Sequence, residues 1–152
     1  MRTTLCLLTV VVIGLAAHTV YAHCEVPCGI YDDQLRFQSM LEDQATIEKA
    51  SSQIGELADK HGAHDLNQLV RWVNTKEDHA SKIQHTIAQY FMTQRIKADD
   101  EKYAKKLAAA HAVLVAAMQS KQAASPESTA ALKKSILDFY RAYEGKEPAL
   151  HE

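Results

Sequence analysis

Residues 23 to 28 read "HCEVPC": two cysteines four residues apart, with a histidine directly ahead of the first. Their types and spacing fit metal chemistry. If His23 begins the mature chain, it brings both an α-amine and an imidazole. Cys24 adds a thiolate and a backbone amide nitrogen that a metal can deprotonate, and Cys28 adds a second thiolate. Amine, amidate and two thiolates can close a square plane around one ion, leaving the His23 ring as a fifth donor above it. Planar nitrogen and sulfur ligation suits Ni(II) or Cu(II), whereas zinc prefers a tetrahedron. Pro27 stiffens the returning loop, and Gly29 lets the backbone turn sharply after it.

This donor set requires a free amino group on His23, and the residues before it supply a way to expose one. Arg2 forms a short positive region, Leu5 to Ala17 an apolar run, and Val20-Tyr21-Ala22 a cleavage site with small or modest residues at the critical positions. The apolar run is shorter than the ~20 residues of a spanning helix, which favours a cleaved leader over a membrane anchor. Cleavage after Ala22 also removes Cys6, so the mature cysteines are Cys24 and Cys28 alone. The leader implies a secreted or periplasmic protein, with cytoplasmic processing by a dedicated protease as the alternative. A Cys24–Cys28 disulfide is possible in an oxidising compartment, but so small a ring removes little loop entropy and makes a poor staple.

Behind this segment the sequence is helical. The chain has 152 residues, 47% apolar and 24% charged, with only 5 Gly and 3 Pro, which suits one globular domain over residues 23–152. Apolar residues recur at helical spacing in four stretches. The first, 34 to 61, includes Phe37, Met40, Ile47, Ile54 and Leu57, and Lys60-His61-Gly62 reads as its end, with Gly62 as a left-handed cap. Asp65 with Gln68 suggests a capping box opening a second helix that runs to about Lys97. A third covers about 100 to 123. Ser125-Pro126-Glu127 starts a fourth, which ends near Gly145. The expected fold is all-α: an antiparallel, up-down four-helix bundle over 34–152, with residues 23–33 hanging off one end. A formal charge of −2, and no basic patch with interleaved aromatics, argue against nucleic-acid binding.

The stretch "HCEVPCGIY", residues 23 to 31, resembles the nickel hook of the nickel-dependent superoxide dismutase family, whose motif is H-C-x-x-P-C-G-x-Y at the mature N-terminus. That family is also a four-helix bundle. The resemblance implies that nickel, one ion per subunit, is held by the His23 amine and ring, the Cys24 amide and thiolate, and the Cys28 thiolate. It implies superoxide anion as substrate, cycling between Ni(II) and Ni(III), a homohexamer, and no membrane association once the leader is gone. Tyr31 matches the tyrosine at the mouth of the family's site, and Pro27 matches a proline that is cis there. Glu25 stands where Asp is common.

A metal-bound imidazole usually needs a partner on its other ring nitrogen. Family members supply a carboxylate from the first helix, backed by an arginine from the second. Those positions fall near Gln38 or Ser39 and near His79, with Glu42 and Arg36 as further candidates. His61, His64, His85 and His111 read as surface or packing residues. Two other readings stay beside the enzyme: a nickel or copper carrier without turnover, and an exported bundle with a Cys24–Cys28 disulfide. The motif, its place at the cleavage site and the bundle behind it favour the enzyme.

Overall fold

The computed structural model describes residues 33–149, all helix and short connections. Residues 1–32, and with them the leader, its boundary at 22 and all but the last residue of the expected 23–33 segment, lie outside the described residues. The chain forms α1 (Asp33–Leu57), α2 (Ala63–His85), a π-helical segment (Thr86–Arg95) that continues α2, α3 (Tyr103–Gln122) and α4 (Pro126–Glu144). Each helix packs on the next, and α1 also packs on α4, which closes an antiparallel four-helix bundle.

Helix boundaries follow local chemistry. Ser125 accepts a hydrogen bond from the Ser128 amide at 3.3 Å, Pro126 occupies the first turn, and Gly145 ends α4 at φ 74°. The loop between α1 and α2 departs from the sequence reading. α1 stops at Leu57, and Gly62 is the residue ahead of α2, in an extended conformation (φ −66°, ψ 146°) rather than a left-handed cap. α2 therefore begins at Ala63, and Asp65 lies inside its first turn instead of capping it. The basic pair Lys60-His61 falls in the connection, beyond the last α-helical carbonyls.

The core is continuous through all four helices. Phe37, Met40 and Ile47 of α1 meet Ile83 and Phe91 of the second rod, Val113 and Ala117 of α3, and Leu132, Ile136 and Phe139 of α4. α1 and α2 reach further than α3 and α4. Lys76 stands level with the end of α3, and Gln44 donates to the Thr129 carbonyl near the start of α4. At 1.5 Å per residue, 45–57 and 63–75 thus project about 20 Å beyond the other two helices. This is why Leu66, Val70 and Val73, which have the spacing of an inward face, are exposed, Val70 at 59%.

Lys76 is buried at 3% exposure despite its charge. Its Nζ donates to the Ser120 carbonyl at 2.7 Å and also to the Lys121 carbonyl, two acceptors at the end of α3 that have no partner within their own helix. A cation there also complements the negative end of the helix dipole. Replacing Lys76 by Met keeps the stem and leaves both carbonyls without that donor. The expected loss is about 1–3 kcal/mol, measured by urea unfolding.

Candidate metal centre

At one end of the bundle, the first residue of α1 collects three side chains from distant parts of the chain. Tyr90 donates its hydroxyl to Asp33 Oδ1 at 2.5 Å, and Tyr143 donates to Oδ2 at 2.7 Å. Arg95 donates to Oδ2 through Nη2 at 2.8 Å and Nε at 3.2 Å. The next residue is held in the same way, Tyr140 donating to Gln34 Oε1 at 2.9 Å. Asp33 is 11% exposed.

The π winding explains how one rod supplies two of these groups. Hydrogen bonds from i to i+5 bring residues five apart into near register, and Tyr90 and Arg95 are five apart. The widened turns are visible in Ile96 N donating to the Phe91 carbonyl, and in the Thr93 hydroxyl donating to the Ala88 carbonyl. An α-helix to Lys97, as the periodicity suggested, would turn Tyr90 and Arg95 away from one another.

Electrostatics keep the cluster in one protonation state. Burial alone would raise the Asp33 carboxyl, but hydrogen bonds from Arg95, Tyr90 and Tyr143 outweigh it and hold the group below the ordinary carboxylate range. Burial first, and the Asp33 hydrogen bond second, push Tyr90 up to about 12 and raise Tyr143 as well. Near neutral pH the carboxylate is therefore an acceptor and both phenols are donors. Lys106 sits over the Tyr143 ring, 5.1 Å from its centroid, and adds a cation to this end.

The positions considered as partners for the His23 ring are spread over α1 and α2. His79 Nδ1 pairs with Asp43 Oδ1 at 2.6 Å, so the described carboxylate next to His79 is Asp43, which the sequence reading did not name. Gln38 and Glu42 line an open groove between α1 and α4, together with Arg141. Ser39 is exposed. Arg36 is half-buried, and its Nε has no hydrogen-bond partner among the described residues. His61, His64, His85 and His111 are exposed, and no three His, Cys, Asp or Glu among the described residues are grouped to hold a metal ion. The expected ligands His23, Cys24 and Cys28, and the expected gate Tyr31, lie outside the described residues.

The family model of nickel-containing superoxide dismutase matches residues 18–147. The chain belongs to that family. No curated protein and no solved structure gives a significant match. Membership in the nickel-containing superoxide dismutases makes the chain an oxidoreductase that takes superoxide as substrate and nickel as cofactor. It also decides between the readings left open by the sequence, in favour of the enzyme over a carrier or a disulfide-bonded bundle. Nickel suits the donors available here. The three cysteines of the chain, Cys6, Cys24 and Cys28, all precede Asp33, and two thiolates beside nitrogen donors are a soft, anionic set of the kind Ni(II) favours.

Proposed function

We infer that His23, Cys24 and Cys28 hold the nickel of this dismutase after proteolysis behind Ala22, with Tyr31 at the entrance. The carrying observation is the family match over residues 18–147, which takes in every donor of HCEVPC. When bound, nickel supplies the one-electron Ni(II)/Ni(III) couple by which one superoxide becomes oxygen and a second, with two protons, becomes hydrogen peroxide. The chain's part is to choose the donors and restrict access. The His23 amine and Cys24 amidate supply nitrogen, and Cys24 and Cys28 supply thiolates whose negative charge favours the higher oxidation state. The His23 imidazole would offer a further nitrogen donor, and Tyr31 would order water and small anions rather than bind metal.

The leader and its cleavage point support a secreted or periplasmic enzyme, with processing in the cytoplasm as the alternative. A homohexamer follows from the family resemblance. The exposed Leu66, Val70 and Val73 on the projecting α1–α2 hairpin offer apolar surface for self-association. Among the described residues, no helix is long and apolar enough to cross a membrane.

One purified native sample tests this reading. Its polypeptide mass places the first residue at His23, metal analysis gives one nickel per chain, superoxide decays rapidly, and native mass spectrometry counts six subunits. A mature chain starting elsewhere, or full activity after nickel removal, refutes the hook.

A further inference from the structure

We propose that Asp33 is a positioning residue for the nickel site, fixing the root of residues 23–31 to the bundle through Tyr90, Arg95 and Tyr143. The proposal rests on the hook reading and adds to it the device that holds the hook's base. Cys28 precedes Asp33 by five residues, a span of at most about 18 Å of chain. Tyr31 precedes it by two. Whatever holds Asp33 therefore limits where the metal-binding segment can go.

The geometry exceeds what the start of a helix requires. A carboxylate in the first turn is already favoured by the helix dipole, and one side-chain or water contact would satisfy it. Here both oxygens are engaged by four hydrogen bonds from two other helical rods, one of them a charge-assisted pair from Arg95. The adjoining Gln34 is gripped by Tyr140. The donors come from residues 57, 62 and 110 positions away, so the contact ties three helices at the first residue of α1. A wide-turned stretch supplies two of the donors, and such stretches are frequent at functional sites.

Asp33→Asn and Asp33→Glu, each in the mature protein, test the role. For the nickel-free form, hydrogen exchange is followed in a peptide covering residues 29–36. For the nickel form, the half-life of nickel against a chelator is measured with the spectroscopic signature of the oxidised metal. Asp33→Asn is expected to speed exchange at the root, and nickel loss, by roughly tenfold or more. Exchange in α3 stays at its original rate. Asp33→Glu keeps the charge and recovers part of both effects.

If Asp33→Asn fails to fold, Tyr143→Phe removes one donor while keeping the ring, and it moves both readouts in the same direction. Wild-type values for either readout overturn the proposal. The hook itself has a separate control, one residue added ahead of His23. If the extension strips nickel while Asp33→Asn does not, the positioning role fails alone. If the extension also leaves nickel in place, the hook reading fails.

Discussion

One alanine added ahead of His23 in the mature chain is expected to reduce superoxide consumption to the level of the nickel-free protein. The change leaves every side chain in place. It converts the His23 amine into a peptide amide, and it moves the imidazole one residue inward from the terminus. The His23 amine binds through a free lone pair and closes a five-membered chelate with the Cys24 amide nitrogen, so turning it into an amide destroys the amine–amidate pair of the plane. Stopped-flow superoxide decay, together with nickel content, measures the effect. Cys24→Ser and Cys28→Ser move in the same direction, because each removes a soft anionic donor that tunes the couple. Full turnover in the extended protein contradicts the ligand assignment. A residue added after Glu152 is the control and leaves activity intact.

The largest expected loss of stability is at Phe37. Its ring is fully buried and lies 4.8 Å from Phe91, 4.9 Å from Tyr140, 5.3 Å from Phe139 and 5.8 Å from Tyr143, centroid to centroid. Phe37→Ala removes the ring at the centre of that cluster and leaves a cavity that rigid helices cannot close. Such truncations cost about 3–5 kcal/mol, a large part of the 5–15 kcal/mol by which domains of this size are typically stable. The thermal midpoint is expected to fall by about 10–20 °C. Phe37→Leu, which keeps most of the apolar volume, is expected to lose clearly less. Equal losses in the two variants would show that ring packing is not what this position supplies.

The Asp33 cluster also gives the bundle an acid limb. Because the folded carboxyl lies below its ordinary value, its stabilisation is present above about pH 4 and is lost as pH falls through the depressed value. Tyr90 acts at the other extreme. Its raised value makes its contribution complete below the ordinary tyrosine range, and lost as pH rises from there to about 12. Asp33→Asn removes the acid-side loss belonging to this group.

The four helices could be read from apolar spacing and from punctuation such as Ser125-Pro126 and Gly145, because those signals are local. Gly62 can serve either a helix end or a helix start, and only its backbone angles separate the two uses. The π segment left no trace in a period tuned to 3.6 residues. Tyr90 packs in the core, yet its hydroxyl also serves a carboxylate 57 positions away. Asp43 was missed beside Glu42 because periodicity fixes the register of facing antiparallel helices only to within a turn. The proposed metal donors can be named from the sequence for the opposite reason. Their chemistry is set by adjacency in the chain, His23 to Cys24 and back from Cys28, and needs no tertiary partner to be recognised.

The placement of Asp33 has a mechanical consequence. A pull on the amino terminus does not peel α1 away from its first turn. The load passes through one carboxylate into the second and fourth rods, which run alongside in the opposite direction, so the contact resists as a brace under shear.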